Sequence, residues 1–392
     1  MTTQQKSSQS AALRRTAIAV AGAYGAQGLG YAVVVTAVPS FQARHDLSET
    51  AVSIVLLGVC VAAAIGSVIA DVLAIWRNSR LGVVVGFLLE AAGLVLAALS
   101  PDAVVFIVAI AIYGVGLGVI DAASNMQGVL VQRHWGGSIL GRFFAVYTVG
   151  AIVGALVMSA GLQWGAGAVS ALLAAALLQV IYVMLSARTL DAERAAREAG
   201  ARRGALPRAS IVVVGLVVLA AFTVDSGIST WSSVHLVGIG AALAFAPLGY
   251  AVYQGGVLAA RLATDPLVRG AGMRRVMLMC VIAGVLGCLV VGFVPLFGFA
   301  LAGFLFAGLC VGALVPIAFG LAGRIDPARS DEIVARVNLF NYGGALIGAV
   351  GIGLLLDIGG SALAFAIPAA ALLLVIPALR SKISQRTNTP HT

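Results

Sequence analysis

Twelve long apolar stretches run through this chain, and its cations are sorted between the gaps that separate them. All but Arg44 of the 24 Lys and Arg residues lie before the first stretch, in or at the edge of every second gap, or after the last. A protein dissolved in water gains nothing from such sorting. A chain inserted into a bilayer does, because short loops rich in Lys and Arg are retained on the cytoplasmic side. The pattern predicts an even number of helical spans with both ends inside the cell.

Composition supports the same class. The chain is 61% apolar and 10% charged, against roughly a quarter charged in soluble domains, and its mean hydropathy is +1.05. An ordinary water-soluble domain is excluded. The formal charge of +9 invites comparison with phosphate-binding proteins, whose cations gather on one face. Here they are spread over the segments expected in the cytoplasm, so they read as a topology signal and no nucleic-acid partner is expected. Cys60, Cys280, Cys288 and Cys310 all fall within apolar stretches and form no CxxC or metal-ligand spacing. They read as small buried apolar residues, and neither a metal nor a cofactor is expected. Arg14 and Arg15 precede an apolar run too long for a signal-peptide core, so the run reads as an uncleaved first span.

A helix needs about 20 apolar residues to cross the hydrocarbon core. Spans are expected at roughly 16–38, 49–71, 80–100, 103–130, 142–164, 168–186, 210–237, 241–263, 274–294, 297–322, 334–356 and 360–379. One long internal interruption, Arg188 to Ala209, carries six Arg with Asp191, Glu193 and Glu198. Six spans precede it and six follow. The expected fold is an all-α membrane protein of twelve transmembrane helices in two pseudo-symmetric six-helix bundles. The bundles are expected at 1–190 and 210–392, joined by a cytoplasmic linker at 191–209.

The halves resemble each other. GSVIADVLAIWRNSRLG (66–82) follows the second span, and ARLATDPLVRGAGMRRV (260–276) follows the eighth. Placing Asp71 opposite Asp265 sets Asn78 opposite Gly272 and Arg80 opposite Arg274, an offset of 194 residues. Internal repeats of this size mark secondary transporters.

The second copy, with Arg261, Asp265, Arg269, Gly272, Arg274 and Arg275, reads RxxxDxxxRxxGxRR. It resembles an extended form of the loop motif of the major facilitator superfamily. The first copy is degraded: Ser67, Ile75, Asn78 and Leu81 replace Arg261, Arg269, Gly272 and Arg275. GVGLGVIDAASNMQGVLVQ (114–132) resembles the fourth helix of the sugar-permease-like branch related to fucose permease. DSGISTWSSVHL (225–236) resembles the seventh helix of that branch, with Asp where Glu is commoner. The resemblance covers nearly the whole chain. It implies two six-helix bundles rocking about a midplane site, opened first to one side of the membrane and then to the other. It also implies a cytoplasmic latch in which Asp71 and Asp265 engage neighbouring helix ends while Arg80, Arg261, Arg269, Arg274 and Arg275 face the cytoplasm.

Three acids lie where topology does not call for them: Glu90 in the third span, Asp121 in the fourth and Asp225 in the seventh. An ionised side chain at the bilayer centre costs about 2.5–3.5 kcal/mol on insertion scales. Each therefore wants a cavity, a partner or a proton, and the three are the candidate proton-coupling residues, Asp121 foremost. No Lys or Arg is expected deep in the opposing spans to neutralise them; the best basic candidate is Arg336, at the start of the eleventh.

Polar residues recur on helical faces in the same spans. Tyr24, Gln27 and Tyr31 share a face of the first. Asp121, Ser124 and Asn125 lie together on the fourth, and Asp225, Ser229 and Ser232, with Trp231 close by, on the seventh. Tyr250, Tyr253 and Gln254 lie on the eighth, and Asn338, Asn341 and Tyr342 on the eleventh. The resemblance places the first, fourth, seventh and tenth helices around the cavity, with the fifth, eighth and eleventh contributing. Amides, hydroxyls and aromatic faces suit a sugar-like solute, which needs hydrogen bonds and apolar stacking.

Gly114/Gly118, Gly150/Gly154 and Gly308/Gly312 put small residues a turn apart on one face, which lets helices approach closely. Pro247 and Pro316 are expected to kink their spans. The fifth span (147–161) has the glycines but not the proline that family exchangers carry there. The leading function is therefore proton-coupled symport of a small polar solute across the cytoplasmic membrane, by a monomer. The alternatives are export of drugs or metabolites and, from another class, an intramembrane enzyme or sensor. The chain shows no HExxH, Asp-rich pair or usable GxSxG that an enzyme would need.

Overall fold

A computed structural model describes residues 3–135, 139–192, 206–326 and 329–376. Most of the expected linker, and the segment after Ile376, lie outside the described residues. The described chain is helical: α1 (Thr3–Thr36), α2 (Val38–His45), α3 (Glu49–Trp76), α4 (Ser79–Leu99), α5 (Ala103–Trp135), α6 (Leu140–Gln163), α7 (Gly167–Ser186), α8 (Arg208–Gly238), α9 (Leu248–Ala271), α10 (Met273–Phe293), α11 (Phe297–Ile325), α12 (Ser330–Leu346) and α13 (Ile352–Leu372).

Among the described residues, eleven helical stretches are long and apolar enough to cross a membrane. The difference from twelve lies in the last of them. Arg336–Val375 runs for 40 residues with a π-helical stretch at Ile347–Gly351. At 1.5 Å per residue it measures about 60 Å, twice the hydrocarbon core, and so contains two crossings. Gly360 breaks it with φ 66°, a backbone conformation that favours a residue without Cβ.

The outer surfaces are apolar. On α3, Val61, Ile65, Val68, Val72 and Ile75 follow each other at steps of four and three and are all exposed, forming a stripe that water would penalise and lipid tails would not. Exposed Trp76, Trp135 and Trp164 stand at or just beyond the ends of α3, α5 and α6, the depth at which amphipathic rings gather in membranes. Cys288 and Cys310 are buried as expected, Cys280 is half-buried, and Cys60 on α3 is exposed.

The chain forms two compact units, one of residues 1–40 and 55–198, the other of residues 41–54 and 199–392. In the first, α1 packs on α6 and α7, and α4 packs on α5 and α7. In the second, α8 packs on α11, α12 and α13, and α10 on α11 and α13. The pairings correspond helix for helix, and glycines fix them. A Cβ on Gly118 would run into the Ala63 carbonyl, and Gly114 lies against Val59. In the second unit Gly308 lies against the Tyr253 carbonyl and Gly312 against that of Val257. All four pairs are related by the same offset of 194 residues as the loop motif.

The loops within the repeat are built differently. Between α3 and α4, the Asn78 side chain accepts the Leu81 N–H at 3.0 Å and caps α4. Its counterpart Gly272 turns between α9 and α10 with φ 83°. Pro316 lies inside α11 as expected, but Pro247 caps the start of α9 rather than kinking it.

Candidate functional site

In the first unit, α1 and α5 run past each other with their polar faces in register. The Tyr24 hydroxyl donates to Asn125 Oδ1 at 2.7 Å, and Gln27 Nε2 donates to Asp121 Oδ1 at 3.3 Å. The earlier residue of α1 meets the later residue of α5, as antiparallel helices require. Tyr24 is held from its other side by Phe143, stacked at 5.6 Å, and Phe144, edge-on at 5.3 Å. Tyr24 and Gln27 are buried, Asn125 is half-buried and Asp121 is exposed. Asp121 is thus the exposed member of this polar face, and its carboxyl is bonded by the Gln27 amide. Tyr31, two turns from Tyr24, is half-buried.

Glu90 has a different setting. Its side chain is 0% exposed and Oε2 accepts a 2.7 Å hydrogen bond from Gln179 Nε2 on α7. It lies within electrostatic reach of Asp121. The other oxygens of this pair, Glu90 Oε1 and Gln179 Oε1, are buried with no hydrogen-bond partner among the described residues. Gln179 was open to notice as the one amide in an apolar helix, but nothing in the sequence pointed it at Glu90. Gln127, another residue passed over, is fully buried; it donates to Ser79 Oγ and to the Asp191 carbonyl and accepts the Asp191 N–H. This ties the start of the linker to α5.

In the second unit, the Tyr253 hydroxyl donates to Asp225 Oδ1 at 2.6 Å. Next to it Gln254 Nε2 donates to the Tyr250 hydroxyl at 2.7 Å. Tyr250 and Tyr253 are fully buried, and Asp225 is half-buried. No Lys or Arg is expected from sequence deep in the opposing spans, with Arg336 the best basic candidate; the cation whose charge acts on Asp225 is Arg261. Arg261, assigned on sequence to the cytoplasmic latch, sits ten residues before the end of α9 and within electrostatic reach of both Asp225 and the Tyr253 hydroxyl. Span prediction placed Arg261 at a helix edge because the apolar run fades there; the helix continues through it.

The remaining candidates are scattered. Trp231 is enclosed, its indole N–H donating to the Ala349 carbonyl in the π-helical stretch at 2.8 Å and its ring lying against Gly353. Ser229 is buried one turn beyond Asp225. On α12, Asn338 and Asn341 are half-buried and Tyr342 is exposed. Of the loop-motif residues, Asp71, Asp265, Arg269, Arg274 and Arg275 are exposed and Arg80 is half-buried. Among the described residues, no group of three or more His, Cys, Asp or Glu is placed to hold a metal ion.

A helical chain of two corresponding units, with acids and amides bonded inside each, has the major facilitator fold, and over nearly its whole length it is similar to an MFS-type transporter. No family model matches it. It is similar to an uncharacterised MFS-type transporter of Yersinia pestis, 26% identical over 359 residues that cover 90% of this chain and 92% of that one. Its fold is that of the nucleoside transporter NupG, with a TM-score of 0.71 at 15% identity over 93% of this chain and 98% of that one. FucP, a major facilitator transporter solved in its outward conformation, gives 0.64 at 16% identity over 93% and 97%.

Proposed function

We propose that the protein takes up a small polar, sugar-like solute across the cytoplasmic membrane by proton-coupled symport, as a monomer with both termini in the cytoplasm. The observation that carries this reading is the orientation of Asp121. Gln27 bonds its Oδ1, and Asp121 is the exposed residue in a polar face that also holds Tyr24 and Asn125. Such a carboxyl has access to a proton and amide neighbours able to sense its charge. A proton entering with the membrane potential releases about 2.3 kcal/mol per 100 mV, enough to drive uphill uptake. Likeness to NupG, a nucleoside transporter, supports a hydroxyl-rich solute. In this reading Asp225 is a second proton candidate, Glu90 with Gln179 braces the bundle behind Asp121, and Asp71, Arg80, Asp265, Arg269, Arg274 and Arg275 serve the cytoplasmic latch. Alternating access would carry the solute across.

The test is a screen in proteoliposomes carrying an internal pH dye, with L-fucose, D-glucose, uridine and a cationic drug as probes. Acidification of the lumen by a sugar or nucleoside, lost in Asp121→Asn, is the expected result. Alkalinisation driven by the drug would favour export and overturn the reading.

A further inference from the structure

Glu90 and Gln179 form a hydrogen-bonded pair that is one donor short. Both side chains are fully buried, and Gln179 Nε2 donates to Glu90 Oε2 at 2.7 Å. Glu90 Oε1 and Gln179 Oε1 are each without a hydrogen-bond partner among the described residues. A buried polar atom left unpaired costs about 1–3 kcal/mol, so two of them on one bonded pair call for a physical reason. A carboxylic acid supplies it, because its O–H is a donor that a carboxylate lacks.

The surroundings bring no counter-charge that would keep Glu90 ionised. α4 packs on α5, α7 and α1. α5 brings Tyr113 and Asp121, and Asp121 acts on Glu90 as a like charge. α7 brings Tyr182, whose hydroxyl is spent on the Ala19 carbonyl at 2.8 Å. α1 brings Tyr24 and Tyr31, and it closes over the pair at Gly30, where a Cβ would strike Gln179 Nε2. Arg15 on α1, Arg80 on α4, Arg133 and His134 on α5 and Arg188 beyond α7 stand nine or more residues from Gly30, Glu90, Asp121 and Gln179 in turn. A carboxyl enclosed without a partner charge neutralises by taking a proton.

Helix packing does not require the pair. By the 194-residue offset, Glu90 corresponds to Gly284, and Gly116, which lies against the Glu90 backbone, corresponds to Cys310. In the second unit the Cys310 and Leu372 side chains fill the place that a Cβ on Gly284 would take. Apolar contact does there what an acid and an amide do in the first unit.

We propose that Glu90 is a resident proton site, a neutral carboxylic acid joined to the Gln179 amide by two hydrogen bonds in a closed ring. Gln179 Nε2 donates to Glu90 Oε2, and the acid O–H on Oε1 donates to Gln179 Oε1. One proton satisfies both orphaned oxygens and removes the buried charge. It is taken up as the helices close and stays on the ring. Two ionised acids within reach of each other repel, so a neutral Glu90 leaves Asp121 the acid free to ionise beside it. None of this depends on which solute the protein moves.

The test is infrared difference spectroscopy of the full-length protein in lipid, wild type minus Glu90→Gln, at pH values from about 5 to 9. A Glu in water titrates at about 4.3 and gives only a carboxylate signal across that range. The expected result is a carboxylic-acid C=O band that persists unchanged throughout. Gln179→Leu should move the band to higher frequency, because it removes the amide N–H that the carboxyl oxygen accepts. Glu90→Gln should fold as the wild type does, since its own amide donates to Gln179 Oε1 in place of the acid; failure to fold would count against the ring. A carboxylate signal in place of the acid band would overturn the proposal, as would an acid band that titrates within the range. So would a band at one frequency in wild type and Gln179→Leu. An acid band seen only when sodium is withheld would put a cation between the two oxygens and overturn it as well. If Gln179→Leu does not fold, Gln179→Met carries the comparison. Failure of the solute screen leaves the ring standing, and absence of the band leaves the uptake reading to its own test on Asp121.

Discussion

Gly308 lies against the backbone carbonyl of Tyr253, so close that a Cβ would overlap the oxygen. That contact sets the distance between α11 and α9, and Tyr253 in turn carries the hydroxyl bonded to Asp225. A packing glycine and an intramembrane acid are thus linked through one residue.

The Gly308→Ala substitution should push α9 away from α11, because a backbone carbonyl cannot rotate out of the way. Overpacking of this kind costs typically about 1–3 kcal/mol. Thermal unfolding of the purified protein in detergent should show the loss. Gly320→Ala on the same helix, where a Cβ meets nothing, should not. Equal stability of the two variants would contradict the packing.

Tyr24 separates hydrogen bonding from ring packing. Tyr24→Phe removes the bond to Asn125 and keeps the rings of Phe143 and Phe144 in place. Hydrogen bonds between membrane helices average about 0.6 kcal/mol, so the variant should lose little stability. Tyr24→Ala empties a buried aromatic site and should cost about 3–5 kcal/mol, as large aromatic truncations do. The comparison is made by the midpoint of thermal aggregation.

The Glu90–Gln179 pair should be structural. Glu90→Gln leaves an amide able to accept from Gln179 and should keep both stability and acid-driven uptake. Gln179→Leu removes the donor from a fully enclosed carboxyl. A buried group left without its partner costs about 1–3 kcal/mol, measured again by thermal unfolding. Loss of uptake in a stable Glu90→Gln protein would instead place Glu90 in the proton path.

Asp121→Asn should abolish uptake driven by a pH gradient while exchange of the solute found in the screen continues, since exchange needs no net proton movement. Gln27→Leu should weaken gradient-driven uptake without abolishing it, because it frees the carboxyl from the amide that orients it. Proteoliposome flux with and without the gradient distinguishes the two.

Sequence by itself determined the class of this protein, because membrane insertion writes itself into linear order. Span length is counted in residues, loop charge is local, and the 194-residue repeat is visible in one loop motif. The polar face of α1 was legible for the same reason, since Tyr24 and Gln27 need only helical periodicity to fall together. Which partner each face meets was decided by tertiary structure alone. Gln179 reaches Glu90 across 89 positions of chain, and the indole of Trp231 is used up on a carbonyl that a π-helical stretch presents. Arg261 shows the division most clearly. By composition it belonged to a cytoplasmic loop, the ordinary place for a cation. In the fold it is half-buried, ten residues before the end of α9, and its charge reaches Asp225 on α8, a neighbour that helical periodicity does not name.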